Sequence, residues 1–403
     1  MSDNTFYVNN HIHTAYSFSP FTPAEAARQA QRAGLVTAGI MDHDSVSGAE
    51  EFLRACAEVG IAGTVGFECR CRMTGTPFEC RRLNNPDQSG VAYVACHGIP
   101  RRSFEAADKW LAPFRAHREQ RDRRMVERLN AVCSDASLHI SYDEDVRPLS
   151  MVVKGGSVTE RHILFALTKR LIDRHGKGHK LIGVLESAFN LEIDYKNAAI
   201  LSADNDPYYD YRTLGILKSS LVEKFYVDAE EECPHIQEFV DFANSIGAVP
   251  AYPYLGDVGE SVTGDKKAQA FEDAFLGELI KYIKQIGFQA VTYMPTRNTM
   301  AQLTRLMKLC DDNDMFQISG EDINTPFQSF VCEKLALPEF SQLIDAAWAL
   351  IGHERASDMD ASMGMFAQRA TEAVPTLSKR VELYAVMGKL STGSFLNNSN
   401  RKG

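Results

Sequence analysis

The chain has 403 residues, 44% of them hydrophobic, and its 43 Lys and Arg against 53 Asp and Glu give a net charge of −10. This length allows one large domain or two ordinary ones. The acidic balance argues against a nucleic-acid-binding surface as the main function. The N-terminus is too polar for a signal peptide, and no apolar run reaches membrane-span length. We therefore expect a cytoplasmic protein whose nine cysteines are free thiols.

Strands and helices alternate in the first hundred residues. Two helices are predicted by capping signals at 22–25 and 47–50, and each ends at a glycine, Gly34 or Gly60. The strands are followed by side chains of metal-binding type. Residues 6–8 lead to His11 and His13, 35–41 to Asp42, His43 and Asp44, 61–67 to Glu68, and 91–96 to His97.

The middle of the chain, about 100–235, has a different character. Arg115 to Arg128 is strongly basic within one predicted helix, either as a solvated face or as a flank that meets substrate. Residues 157–160 read as a further capping box, which places Arg161 and His162 in the first turn of a helix. A helix N-terminus with an adjacent arginine suits a phosphate, although capping alone explains the pattern equally well. The segment 195–226, rich in Tyr and Asp, is interpreted as loop and short helix.

The strand and helix alternation returns after residue 235, with strands predicted at 248–252, 288–293 and 315–319, the last leading to Asp322. Strands that alternate with helices predict a parallel sheet with right-handed crossovers. At least seven such strands predict closure into a barrel, whose active groups gather at the carboxyl ends of the strands. Residues 331–403 are predicted to be a helical C-terminal extension.

The histidines and carboxylates at these strand ends predict a metal site. His11 and His13 lie on one face of an extended segment, because strand residues alternate sides. Imidazoles joined by carboxylates from neighbouring strands form a nitrogen and oxygen cage for Zn²⁺, Mn²⁺ or Fe²⁺. The alternative is that these are scattered polar loop residues. Cys69, Cys71 and Cys80 lack the partner pair of a zinc ribbon and are interpreted as plain thiols.

Six motifs together resemble the PHP (polymerase and histidinol phosphatase) superfamily, specifically its phosphoesterase branch, over most of residues 6–330. They are His11-Ile12-His13-Thr14, Met41-Asp42-His43-Asp44-Ser45 with Gly48, Gly66-Phe67-Glu68, His97-Gly98, Thr159-Glu160-Arg161-His162-Ile163 and Ser319-Gly320-Glu321-Asp322. The resemblance implies an α/β fold. Its barrel would be a distorted (β/α)7 TIM-like barrel formed by 1–100 and 235–330, with 101–234 as an inserted, mainly helical subdomain. It also implies up to three metal ions and hydrolysis of phosphate esters.

The chain departs from the family pattern where Phe18, Tyr252 and Asn324 replace strong donors. By that pattern the first metal uses four residues that are all present: His11, His13, Glu68 and Asp322. The second keeps Glu68 and His97 but has Tyr252 as its third residue, and the third keeps only His43. We therefore expect one well-held divalent ion, a weaker second one at most, and no strong third site.

The leading hypothesis is metal-assisted phosphoester hydrolysis of a small phosphorylated metabolite or nucleotide. His43 or His97 would protonate the leaving oxygen, and Arg161 would hold the phosphate. Asp42 would either orient a ligand histidine or hold its own loop. The loss of three donors leaves two alternatives open. One is a mononuclear hydrolase of another bond, and the other is a non-enzymatic regulator that binds a ligand or metal.

Overall fold

The structure is a computed structural model that describes residues 7–259 and 269–399, with side chains up to residue 391. Phe6, predicted to begin the first strand, lies outside the described residues. Within the described part of the chain, no helix is both long and apolar enough to cross a membrane.

Seven strands form one sheet in chain order, from β1 to β7. They are β1 Tyr7–Ile12, β2 Leu35–His43, β3 Ala62–Arg72, β4 Val91–His97, β5 Val249–Tyr254, β6 Ala290–Tyr293 and β7 Phe316–Ser319. The prediction of a wholly parallel sheet is wrong at β4, which runs antiparallel to both β3 and β5. No helix separates β3 from β4, so the chain returns directly beside the strand it has just left.

The sheet curves until its two edge strands meet, which confirms a distorted seven-stranded TIM-like barrel. The amide of His13 donates to Ile323 O at 2.9 Å, and the amide of Ile323 donates to His11 O at 3.2 Å. Two buried asparagines of β1 complete this β1–β7 closure. The side chain of Asn10 donates to Ser319 O at 2.8 Å, and that of Asn9 donates to Glu321 O at 3.1 Å.

In the part of the chain that the structure describes, thirteen α-helices surround and extend the barrel. They are α1 Pro23–Arg32, α2 Ala49–Val59, α3 Phe104–Val132, α4 Glu160–His175, α5 Lys180–Phe189, α6 Tyr195–Ser202, α7 Tyr209–Phe225, α8 Ile236–Ser245, α9 Leu276–Gln285, α10 Met300–Asp312, α11 Ser341–Met359, α12 Gln368–Ala373 and α13 Leu377–Ser399. The capping box at Thr22 and Glu25 is confirmed. The one predicted at Ser47 is wrong, because Gly48 is the N-cap and the Ser47 hydroxyl donates to Gly155 O.

The two faces of the sheet bury different kinds of side chain. The outward face packs large apolar groups such as Phe67 and Tyr252 against α1, α2, α8 and α9. The inward face carries small side chains on β4 and β5, including Ala95, Val249 and Ala251, together with Phe316 and Ile318 of β7, and packs against α11. The helix α11 contacts β1, β3 and β7 and fills one end of the barrel. The helix α11 does not cover the opposite end of the barrel, which is therefore where polar side chains can meet a ligand.

The region between β4 and β5 contains α3 to α8. Of these, α3 to α7 share a separate hydrophobic cluster, formed by residues 125–227 together with Phe18. The helices α11 and α13 pack on each other at the C-terminal end of the chain. The predicted boundaries, with a barrel at 1–100 and 235–330, an insertion at 101–234 and an extension at 331–403, remain predictions.

We predict that Gly352→Ala destabilises the protein by about 2 kcal/mol, because this small-to-large change meets a tightly packed helix. A Cβ at Gly352 would lie 2.0 Å from Tyr384 O on α13, and one at Gly388 would lie 2.2 Å from Trp348 O. Gly215→Ala on α7 is the matched control, since no neighbouring atom lies within 4 Å of the added carbon. The control should gain up to about 1 kcal/mol of helix propensity. Urea unfolding measures both, and equal midpoints would contradict the prediction.

A second prediction concerns Glu354 of α11, whose buried carboxyl accepts hydrogen bonds from Thr64 Oγ1 and, at 2.8 Å, from the Val65 amide. Burial raises the pKa of Glu354 to about 8. Because the folded state holds this proton more tightly than the unfolded state, stability should fall as pH rises from 4.5 towards 8. The expected slope is at most about 1.4 kcal/mol per pH unit.

Glu354→Gln should remove that slope, because the amide oxygen accepts the same two hydrogen bonds without ionising. Urea unfolding at pH 5, 6 and 7 measures how the free energy of unfolding changes with pH. The surface change Glu372→Gln serves as the control. A slope that survives in the Glu354 variant would show that another group carries it.

Candidate metal centre

Donor atoms from β1, β3 and the segment after β7 lie around one point inside the barrel. His11 Nε2 and His13 Nε2 are 3.2 Å apart. Glu68 places Oε2 3.5 Å from His11 Nε2 and Oε1 3.3 Å from His13 Nε2. Asp322 places Oδ1 3.2 Å from His13 Nε2. One donor atom from each of His11, His13 and Glu68 lies within 4.8 Å of the other two.

These separations suit a single small cation. Four ligand atoms about 2.0–2.2 Å from a tetrahedral Zn²⁺ lie about 3.3–3.6 Å from one another. Imidazole nitrogen and carboxylate oxygen are also the donors that Zn²⁺, Mn²⁺ and Fe²⁺ share. The donor set and its spacing therefore fit the divalent ion expected from the sequence.

A chain of hydrogen bonds fixes the orientation of His13. The Ser17 hydroxyl donates to Asp42 Oδ1 at 2.7 Å, and Ser17 Oγ lies 3.1 Å from His13 Nδ1. Because a hydroxyl has one proton, Ser17 must accept from the N–H at Nδ1. When the ring is neutral, the lone pair therefore lies on Nε2, the nitrogen that faces the cluster. Asp42 also accepts from the Thr14 amide at 2.7 Å. Asp42 thus both holds its loop and orients a candidate ligand.

His43 lies at the end of β2 beside the same carboxylate. Its Nδ1 is 3.0 Å from Glu68 Oε1, and its ring centroid is 4.8 Å from that of His13. The His43 side chain is 23% exposed, whereas that of His13 is 2% exposed. His43 is therefore the histidine of this pair that solvent or a substrate can reach.

The charges of the cluster favour a cation. Burial raises the pKa of Glu68, but His43 and His11 outweigh it and bring that pKa down to about 2. Burial lowers the pKa of His13, but Asp322 and Glu68 outweigh it and raise that pKa to about 9. The pocket therefore keeps its carboxylates ionised and holds a positive charge between them. A bound metal ion would supply the same charge.

His97 is the last residue of β4 and lies on the inward face with Ala95. Its Nε2 is buried and has no hydrogen-bond partner among the described residues. Burial lowers its pKa to about 3, with His11 acting in the same direction and Glu68 against it. His97 is thus near the cluster, and an unsatisfied buried nitrogen there suits a further ligand. Its assignment to a second metal remains a prediction.

The three positions that depart from the family pattern have other roles. Tyr252 faces the outer core, because its neighbour Ala251 occupies the inward face. The expectation that Tyr252 stands in the second metal site is therefore wrong. Phe18 packs its ring 4.9 Å from that of His162, in the hydrophobic cluster of the helices α3 to α7. Asn324 donates from Nδ2 to Asp322 Oδ1 at 2.7 Å.

Arg161 lies in the first turn of α4, as predicted. Burial raises the pKa of Asp322, but His13 outweighs it and lowers that pKa, with smaller contributions from His11 and Arg161. The predicted cap of this helix is wrong. The N-cap is Thr159, whose amide donates to His162 Nδ1 at 3.0 Å. Ser157 instead donates to His43 O at 2.8 Å, and Glu160 pairs with arginines of the barrel and of α3.

The basic helix α3 is not simply a solvated face. Arg115, Arg118 and Arg121 are at most 9% exposed and point at carboxylates. Arg121 lies 2.6 Å from Glu232 and 2.7 Å from Glu160. The three arginines recur every third residue, so the spacing carried a signal of one helix face. The composition of the helix did not indicate which carboxylates these arginines contact.

The cysteines are free thiols, as expected, and Cys69 and Cys71 are buried. Burial raises the pKa of both thiols, which keeps them protonated. Among the described residues, no group of cysteines is close enough to hold a metal ion.

Sequence reasoning missed Ser17, whose only signal was its position four residues after His13 in a turn.

The PHP domain family matches residues 9–288, more than half of the chain. Error-prone DNA polymerases of Mycobacterium bovis and Mycobacterium tuberculosis are 35% identical over 86 residues, which are 21% of this chain and 7% of each polymerase. The chain therefore spans only a small part of the length of these relatives.

Two solved structures share the fold. A protein assigned as a metal-dependent phosphoesterase from Bifidobacterium adolescentis has a TM-score of 0.55 and 20% identity, over 82% of this chain and 94% of that one. An amidohydrolase from Chromobacterium violaceum, with bound sulfate and no metal, has a TM-score of 0.53 and 16% identity, over 81% and 90%. At these identities the likeness establishes the fold alone.

We predict that Ser17→Ala weakens divalent-metal binding about 10- to 100-fold, the usual effect of removing the group that orients a ligand histidine. Competition titration with a chromophoric chelator measures the affinity for Zn²⁺ and Mn²⁺. Ser19→Ala, in the same turn and half-buried, is the matched control. Unchanged affinity in the Ser17 variant would mean that His13 is oriented by other contacts.

Proposed function

The chain belongs to the PHP domain family, and from this premise we propose that it is a metal-dependent hydrolase that cleaves small phosphate esters. The observation that supports this most is the convergence of His11, His13, Glu68 and Asp322 at separations that suit one cation. Four buried or half-buried donors from distant parts of the chain are costly to bring together without a ligand.

A divalent ion bound by these four residues would act as a Lewis acid and would lower the pKa of a water molecule towards neutrality. Zn²⁺, Mn²⁺ and Fe²⁺ all suit the donors. One ion is proposed at the four-residue site. A second would draw on Glu68 and His97, and the third position retains only His43 as a strong donor.

The protein groups around the ion have distinct proposed roles. Glu68 uses both carboxylate oxygens, one towards His11 and one towards His13 and His43. His43 has Nδ1 against Glu68, so Nε2 of its partly exposed ring is the atom that would face the leaving oxygen. The imidazolium form, with a proton on both nitrogens, would donate the Nε2 proton to that oxygen and become neutral. Arg161, whose charge acts on Asp322, would hold the phosphate group.

The net charge of −10 favours a small phosphorylated substrate over a polynucleotide. The Bifidobacterium adolescentis protein assigned as a metal-dependent phosphoesterase has this fold, so the fold is compatible with the proposed reaction class. A mononuclear hydrolase of another bond is the second candidate. It is favoured by the outward direction of Tyr252 and the apolar surroundings of Phe18, which leave most donors on one metal.

The first test combines metal analysis with an assay of phosphate release. Protein purified without chelator or metal-affinity tag should contain at least one equivalent of divalent metal. It should release phosphate from an aryl phosphate ester, and chelation should abolish that activity. Asp322→Ala should lose the metal and the activity, because His13 and the ion lose a carboxylate. Asp345→Ala, which removes a surface ion pair with Lys389, should lose neither.

The results separate the two candidates. Metal that is bound without phosphate release, together with hydrolysis of an amide or carboxylic ester, would replace the phosphoesterase by the mononuclear hydrolase. Arg161→Met should raise KM for the aryl phosphate, whereas Arg170→Met, on the same helix and paired with Asp145, should not. Metal content that stays unchanged in the Asp322 variant would refute the ligand assignment.

A further inference from the structure

The residue that follows His43 is held in an unusual conformation by two arginines of the inserted helix α3. Asp44 has φ +50° and is 1% exposed. Positive φ is uncommon for a residue with a side chain and persists when surrounding contacts hold it. Arg118 Nη2 forms an ion pair with Asp44 Oδ2 at 2.6 Å, and Arg115 Nη1 donates to Asp44 O at 2.9 Å.

These contacts fix both the backbone and the side chain of Asp44. Its amide donates to Glu68 O at 2.8 Å, so Asp44 is also tied to the strand that carries the central carboxylate. On the other side of His43, Asp42 is held by Thr14 and Ser17. The backbone of His43 therefore lies between two immobilised residues, and its carbonyl accepts from Ser157.

We propose that Arg115 and Arg118 are positioning residues that act through Asp44 to hold the imidazole of His43 against Glu68. An effect of these arginines on kcat rests on the function proposed above, whereas their effect on the position of the His43 imidazole does not. The helix α3, which lies in the predicted insertion, would then help to hold a side chain of the candidate site in the barrel. The two arginines contact the chain after His43 rather than the cluster itself, so they are not catalytic residues.

A second role for the arginines would be to bind α3 to the barrel. The neighbouring Arg70 and Arg121 serve that role, since both pair with Glu232 and Glu160. Arg118 lies farther from Glu232, at 3.7 Å, than from Asp44, at 2.6 Å. Asp44 is therefore its closest carboxylate. Removal of Arg118 should disturb His43 more than it disturbs the attachment of the helix.

Three variants test the proposal. Arg118→Met keeps the length of the side chain and removes its charge. Asp44→Asn removes the other charge and tolerates positive φ, so it serves if the first variant folds poorly. Arg123→Met is the matched control, because Arg123 lies on the same helix and forms an exposed pair with Asp143 at 2.5 Å. Thermal unfolding of each variant checks that it is folded.

The first readout is independent of activity. Metal-free protein with ¹³C- and ¹⁵N-labelled histidine gives imidazole resonances, and the His43 signal is the one lost in His43→Ala. Arg118→Met and Asp44→Asn should shift or broaden that signal, whereas Arg123→Met should leave it in place. A His43 signal that is unchanged in both folded variants would overturn the proposal.

The second readout uses kcat and KM for the aryl phosphate. Arg118→Met should lower kcat by about 10- to 100-fold, as small misplacements of reacting groups do, with KM changed much less. In a His43→Ala background the same change should have no further effect, because a positioning residue acts only through the group it holds. An equal loss in both backgrounds would overturn the proposal. A shifted His43 signal in an enzyme without phosphatase activity would refute the proposed function and support the positioning role.

Discussion

The closure between β1 and the segment after β7 is the interaction on which the rest of the site depends. It joins His11 and His13 to Ile323 by two backbone hydrogen bonds, and Asp322 is the residue just before Ile323. Residues more than 300 positions apart in the sequence therefore share one donor cluster. The buried side chains of Asn9 and Asn10 make the closure polar and directional, because each donates to a particular carbonyl on the other edge.

Much of the barrel could be predicted from the chain, since its strands and helices carry strong local signals. The helix α1 has Thr22 as its cap, followed by a proline and an acidic residue in the expected order, and the structure has each in place. The direction of β4 could not be predicted. The residues of a strand do not encode its direction relative to its neighbours. The absence of a helix between β3 and β4 is consistent with an antiparallel return, but it does not by itself fix the pairing of β4.

The candidate site shows the same division. The spacing of His11, His13 and Glu68 placed them at strand ends and predicted their proximity, which depends on local alternation and topology. The outward direction of Tyr252 depends on which face of β5 is inward, and a register difference of one residue reverses that face. The partners of Arg115 and Arg118 were also beyond prediction, because the spacing of the arginines indicates one helix face but not which distant carboxylates that face meets. Ser17 belongs to this group, since a turn residue shows its role only when Asp42 and His13 lie on either side.

The position of α11 has a consequence for how the chain reaches its native state. At the end of the barrel that α11 fills, the inward face of β3 to β6 carries alanines and other small residues, and this helix packs against them. During synthesis from the N-terminus, the barrel strands emerge before α11 and its partner α13. The barrel end would then be exposed until the last sixty or so residues arrive, so a chain stalled before them would present apolar surface. Such a chain should be prone to aggregation and to recognition by chaperones, although every residue of the metal cluster would already have been made.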